Sequence, residues 1–246
     1  MSARTDGREA ADLRPVSIQP GYLVNPEGSC LVEFGRTRVV CSAMLEDRVP
    51  PFMKGTGQGW VTAEYGMLPG STEQRTQREA SRGRQSGRTL EIQRLIGRSI
   101  RSVTDFGAFP DKTLWIDCDV IQADGGTRTA AITVSFVAAA LAFQALLEAK
   151  VIKAFPMRHL VAAVSVGILQ GQKILDLKYD EDSAAAVDMN VVMTDEGRFI
   201  EVQGTAEQAP FSKADLDDLL ALAAQGCDQL FARQRAALPF LSACGL

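Results

Sequence analysis

Histidine is nearly absent from this sequence: His159 is the only one in 246 residues. A Ser–His–Asp or Cys–His relay therefore has one possible centre, and no nucleophile elbow points to it. Histidine-rich metal sites are excluded. His159 precedes a strand-like run and suits a surface role as well as a functional one. Paired cysteine motifs are missing too. The five cysteines, Cys30, Cys41, Cys118, Cys227 and Cys244, are odd in number and form no CxxC pair. Cys30, Cys41 and Cys118 lie inside apolar runs and read as reduced core residues of a cytosolic protein, not as a disulfide frame or zinc site. An excess of positive charge is also lacking. The net charge is −4 and the pI about 5.2, which excludes a uniformly basic nucleic-acid binder but leaves room for a local patch. The first eight residues hold no apolar leader, so no signal peptide is expected. Thr129 to Leu147 is the longest uncharged run, but Thr133, Ser135 and Gln144 interrupt it and its apolar part is rich in alanine. It reads as a buried core helix, not a membrane span.

What remains is an ordinary globular balance, 46% hydrophobic and 23% charged. Catalysis would have to rest on carboxylates, arginines, backbone amides and a hard metal ion. Alternation predicts two strands over residues 30–46, broken near Gly35, and a further strand over 59–65. Residues 69–88 are polar and glycine-bearing and read as a loop. A helix is expected over about 89–103, a strand over 113–123, and the buried helix up to about Lys150. Strands follow at 160–167 and 173–177, then a hairpin of 186–194 with 198–204, then a helix capped by Ser212. This order describes one α/β domain over residues 1–246 with mixed sheets and no linker. Strand pairs at 30–46 and 186–204 each lead toward a helix, a weak echo of a duplicated plan.

Three constellations could carry chemistry. Gly125-Gly126-Thr127-Arg128 stands at a strand-to-helix junction, where free amides and the helix dipole suit a phosphate and Arg128 adds a forked cation. The same residues would also serve as an ordinary tight turn. Between Arg75 and Arg101 there are eight arginines, opposed only by Glu79 and Glu91. The loop members suit RNA phosphates; the helical Arg94, Arg98 and Arg101 suit salt bridges or subunit contacts. Asp188 is a carboxylate in the middle of an apolar strand, with Asp182 in the turn before it. The pair could share a Mg²⁺ that keeps several waters, or Asp188 could simply bond to neighbouring backbone.

Longer stretches carry a resemblance. Gly59 to Pro69 (GWVTAEYGMLP), Gly87 to Arg98 (GRTLEIQRLIGR), Asp117 to Arg128 (DCDVIQADGGTR), Glu181-Asp182-Ser183 with Asp188 to Thr194 (DMNVVMT), and Glu201 to Glu207 (EVQGTAE) together resemble the ribonuclease PH family, in order, from about Arg4 to Ala237. The resemblance implies a ribosomal-protein-S5-domain-2-like α/β fold with duplicated β-α units. It implies a phosphate-dependent 3′→5′ exoribonuclease, a nucleotidyltransferase that trims the 3′ ends of transfer-RNA precursors and releases nucleoside 5′-diphosphates. Inorganic phosphate would bind at Arg88, Gly126, Thr127 and Arg128. Asp182 and Asp188 would be catalytic and hold Mg²⁺, and Arg75 and Arg78 would meet RNA. A cytoplasmic homo-hexamer, a trimer of dimers, is implied as well, with no membrane partner. Three positions depart from the family pattern: Gly70 replaces a frequent arginine, Val134 a small glycine, and Lys178 an acid. The rival readings are a non-catalytic ring subunit and a metal-dependent hydrolase that uses water.

Overall fold

The computed structural model describes residues 4–207 and 210–246; the first three residues of the stretch read as lacking a leader lie outside them. Strands β1 (Val16–Pro20), β2 (Gly28–Phe34), β3 (Thr37–Glu46) and β4 (Trp60–Met67) come first. Helices α1 (Glu79–Arg82) and α2 (Gly87–Arg101) and strand β5 (Thr113–Gln122) follow, then the long helix α3 (Thr127–Glu148). The second half holds β6 (Val161–Leu169), β7 (Gln172–Leu175), α4 (Tyr179–Ala184), β8 (Val187–Thr194), β9 (Phe199–Ala206) and α5 (Lys213–Ala237). One sheet runs β1-β2-β3-β5-β4, the other β7-β6-β8-β9. The first is mixed, because β4 and β5 are parallel; the second is antiparallel throughout.

Alternation builds the first sheet, but with one face in the core: Val40 and Ser42 of β3 are half-buried and Met44 is exposed, where the sequence suggests burial on both faces. Leu114, Ile116, Cys118 and Val120 of β5 and Val39, Cys41 and Ala43 of β3 all point into the core. Helix α3 is apolar on every side because it is covered on every side. It packs on β2 and β3 of one sheet and β6 of the other. It is long and apolar enough to cross a membrane, yet most of it is buried inside this protein. Gly28 lets β2 come this close: a Cβ there would lie 2.0 Å from the Ala138 carbonyl oxygen. Val134 is fully buried in the same helix, so its departure from a small residue is absorbed by the core. One hydrophobic cluster runs from β2 through α3 to α5, whose N-terminus is closed by the Ser212–Asp215 capping box.

The five cysteines are free, and four are buried. Cys41 and Cys118 face each other across β3 and β5 with their sulfurs 3.4 Å apart, beside the Ser135 hydroxyl. Three elements differ from expectation. Strand β1 is not among the expected strands, the loop over 69–88 contains the single-turn helix α1, and Asp182 sits in α4, not in a turn.

Candidate active site

Parallel neighbours need a crossover, and here α2 supplies it between β4 and β5. That connection gathers the carboxyl ends of both strands and the start of α2 at one edge, where open α/β sheets place ligands. Tyr65 lies near the end of β4, Arg88 is at the start of α2, and β5 runs through Asp124-Gly125-Gly126 into α3. Gly125 and Gly126 have φ of +73° and +64°, a region that strains other residues. Gly126 is the N-cap of α3 and no side chain caps it. The first amides of a 22-residue helix are thus left for a ligand, with the positive end of its dipole behind them. Gly125 has a second reason to be glycine: a Cβ there would lie 2.7 Å from the Leu177 carbonyl oxygen and the Tyr179 nitrogen. Its close approach is to the chain leading into α4, not to a ligand.

Side chains ring this turn. The buried Tyr65 hydroxyl and the Thr127 hydroxyl are 3.0 Å apart. Burial pushes the phenol up, while the Thr127 bond and the Arg88 and Arg128 charges pull it down. Arg88 is exposed and lines a cavity of about 770 Å³ together with Tyr65, Thr89, Asp119 and Arg78. Arg128 is mostly buried and already engaged: it donates to Gln203 Oε1 (2.5 Å) and to Glu91 Oε1 (3.4 Å), and Gln203 Nε2 donates to Glu91 Oε1 (2.7 Å). Helix α2 and strand β9 therefore fix its fork.

The second half contributes the acids. Asp188 stands on β8 opposite Gly167 and Thr205, half-buried, on the face away from Val187, Met189 and Val191. Asp182 stands on α4. Burial and then the Asp188 charge push its carboxyl above the ordinary aspartate range, against the pull of Arg88, Arg128 and Arg14. Those influences unite the constellation: the carboxylate pair, Arg88 and Arg128 share one electrostatic neighbourhood. Among the described residues no group of three His, Cys, Asp or Glu side chains could hold a metal. Asp182 and Asp188 are the carboxylate pair whose charges act on each other here. The Lys178 charge is answered by Asp180, 3.0 Å away.

The arginine loop divides. Arg78 shares the cavity of Arg88, whereas Arg75 lines a neighbouring cleft with Arg78, Arg82 and Gln77. Arg98 pairs with Glu201, the salt bridge expected of the helical arginines, whereas Arg101 lies 4.9 Å over the Trp60 ring and donates to the Val61 carbonyl instead. His159 lies beside Asp195 and Glu196 at 3.9 and 3.7 Å, far along β6 and β8 from Asp188. Tyr65 and Gln203 were not singled out from the sequence, although both lie inside stretches that carry the resemblance.

Residues 12–144 match the first domain of the 3′ exoribonuclease family, and residues 159–226 match its second. This chain belongs to the 3′ exoribonuclease family. It is 60% identical over 235 residues to ribonuclease PH of Syntrophomonas wolfei subsp. wolfei, covering 96% of this chain and 98% of that one. It is 58% identical over 236 residues to ribonuclease PH of Bacillus mycoides, covering 96% of each. Among solved structures, an Archaeoglobus fulgidus exosome with RNA bound to the active site matches with a TM-score of 0.80 at 19% identity, over 94% of this chain and 92% of that one. Rice Rrp46 matches with 0.77 at 18%, over 94% and 98%. The fold expectation holds, and so does the activity: a phosphate-dependent 3′→5′ exoribonuclease that acts on RNA with inorganic phosphate.

Proposed function

We propose that this exoribonuclease trims the 3′ ends of transfer-RNA precursors, with Arg88, Gly126, Thr127 and Arg128 holding the attacking phosphate and Asp182 and Asp188 serving the bond that breaks. The observation that carries this reading is the uncapped N-terminus of α3, flanked by Arg128 and the Tyr65–Thr127 pair, in the field of Asp182. Bound there, a phosphate oxygen attacks the phosphorus of the last phosphodiester. The bond to O3′ breaks, a nucleoside 5′-diphosphate leaves, and O3′ takes up a proton as the new RNA end. Near-balanced bonds allow the reverse step, addition from diphosphates.

The side chains divide this work. Arg88, exposed toward the cavity, neutralises the incoming anion, and Arg128, braced by Gln203 and Glu91, fixes its orientation. Asp182 keeps its proton to higher pH than a free carboxyl, as a general acid for O3′ requires. Its carboxylate and that of Asp188 are also hard oxygen donors and would hold Mg²⁺. Such an ion would supply neutralisation of charge on the transferring phosphoryl group. Arg75 and Arg78 meet the RNA backbone. The subunits form a homo-hexamer, a trimer of dimers, supported by exposed apolar side chains such as Phe52, Phe199 and Val202. The continuous core supports one domain over 1–246, and free thiols suit the cytoplasm.

A transfer-RNA-like substrate with extra 3′ nucleotides tests the reading, incubated with Mg²⁺ with and without phosphate. Diphosphates released only with phosphate are expected. Monophosphates would shift the assignment to a hydrolase, and bound but intact RNA to a non-catalytic ring subunit.

A further inference from the structure

The phosphate turn is held from behind by two side chains outside the proposed chemistry. Arg14 is buried, and its guanidinium grips Asp176 with two bonds, Nη2 to Oδ1 at 2.7 Å and Nε to Oδ2 at 2.9 Å. The rest of its fork points at the turn: Nη1 donates to the Asp124 carbonyl, and Nη2 lies 3.4 Å from the Gly125 carbonyl. Thr37, fully buried, closes the same turn, donating to the Gly125 carbonyl at 2.7 Å and accepting the Asp124 amide at 2.9 Å. Peptide planarity makes a carbonyl and the following N–H point in opposite directions. Fixing the oxygens of Asp124 and Gly125 therefore fixes the N–H groups of Gly125 and Gly126. Two adjacent glycines would otherwise be the softest stretch of the site. A buried ion pair adds little net stability over an apolar pair, so stability alone is a poor reason for placing one here.

We infer that Arg14 and Thr37 are positioning residues for inorganic phosphate: they hold the carbonyls of Asp124 and Gly125 so that the amides leading into α3 stay aimed at the anion. The inference rests on the turn being the phosphate site. Neither residue touches phosphate; both act through the backbone.

Steady-state phosphorolysis of a defined RNA, with inorganic phosphate varied, tests this in Thr37→Val, Thr37→Ser, Arg14→Lys and Arg88→Ala. Thr37→Val is near-isosteric and removes no charge, so it reports orientation alone. It is expected to raise KM for phosphate about tenfold, the effect of roughly one lost hydrogen bond, with KM for RNA unchanged. Thr37→Ser is expected to restore the wild-type KM, because the hydroxyl returns. Arg14→Lys is expected to move KM for phosphate in the same direction; if that variant does not fold, the Thr37 pair decides. An unchanged phosphate KM in Thr37→Val, beside a raised one in Arg88→Ala, would overturn the positioning role and leave the site standing. An unchanged phosphate KM in Arg88→Ala as well would remove the site itself. Failure of Thr37→Ser to rescue would show a packing effect and also overturn the inference.

Discussion

Residues 124–128 and residues 73–86 both face the site with positive or donor groups, but they are built in opposite ways. In the first segment the turn carbonyls and the flanking side chains have fixed partners, Thr37 and Arg14 behind, Tyr65 at the side, Gln203 and Glu91 on the Arg128 fork, and the amides opening α3 stay free. In the second, every residue from Glu73 to Gln85 except Glu79 is exposed, and the arginines reach into open clefts. The difference matches two tasks. A small anion that must attack one phosphorus has to be held to a fraction of an ångström. An RNA strand whose sequence is not read needs only charge that can follow it. On the proposed reading the rigid segment serves chemistry and the loose one affinity.

The largest expected effect lies where the rigid segment meets the acids. Asp182→Asn keeps the shape and removes the titrating group; kcat is expected to fall about 10²- to 10⁴-fold with RNA affinity preserved, read by single-turnover phosphorolysis and a binding titration. Loss of RNA binding in parallel would place Asp182 in substrate recognition. The clamp behind the turn comes next. Asp176 is fully buried, and although burial works to raise its carboxyl, the Arg14 guanidinium more than offsets this and holds it below the ordinary aspartate value. Its stabilising share is therefore complete above the unfolded aspartate value, about pH 4, and is lost as pH falls through the lower folded value. Asp176→Asn leaves Arg14 buried without its charge partner and is expected to cost about 3–5 kcal/mol in urea unfolding at neutral pH, with the gap closing toward pH 3. A gap independent of pH would contradict the ion pair.

Arg88, which lines the cavity of Arg78 and lies between the two segments in sequence, tests the proposed division. Arg88→Ala is expected to raise KM for phosphate about ten- to a hundredfold, the worth of a charge-assisted bond, with RNA binding nearly unchanged. Arg75→Ala with Arg78→Ala is expected to do the reverse: weaker RNA binding and an unchanged KM for phosphate. The slope of log affinity against log salt should flatten by about 0.7 for each phosphate contact removed.

The two segments were also unequally legible in the sequence. The Gly125-Gly126 turn, the strand carrying Asp188 and the buried helix α3 announce themselves by local pattern, glycines at a junction, period-two alternation and an uncharged run. Strand β1 did not, because Val16–Pro20 mixes polar residues with a proline at its end. Helix α4 did not, because Asp180-Glu181-Asp182-Ser183 reads as a polar turn until Glu181 Oε2 accepts the Lys178 backbone amide at 3.0 Å. The clamp left no local signal at all: Arg4 reaches Glu181 across 177 residues and Arg14 reaches Asp176 across 162. Partners that far apart are joined only by the fold. The expected roles of the site residues follow from family stretches, but the order in which they brace one another is visible only in three dimensions.

The smallest effect tests whether the loose segment is loose by design. Glu79 ties it to the start of α2: its Oε1 accepts from the Ser86 amide at 3.1 Å and from the Thr89 hydroxyl at 2.7 Å. Although burial works to raise it, those bonds and the Arg82 charge hold the Glu79 carboxyl below the ordinary glutamate value, so the tether is intact through the neutral range. Thr89 follows Arg88 directly, so this tether is where the exposed loop arginines connect to Arg88. Glu79→Ala is expected to weaken RNA binding only about twofold, since water replaces half-exposed bonds at little cost. KM for phosphate should stay put, because Arg88 is held by α2 and not by the loop. A rise in phosphate KM comparable to that of Arg88→Ala would mean that the loop, too, positions the anion, and the division between a rigid chemical segment and a compliant binding segment would fail at that residue.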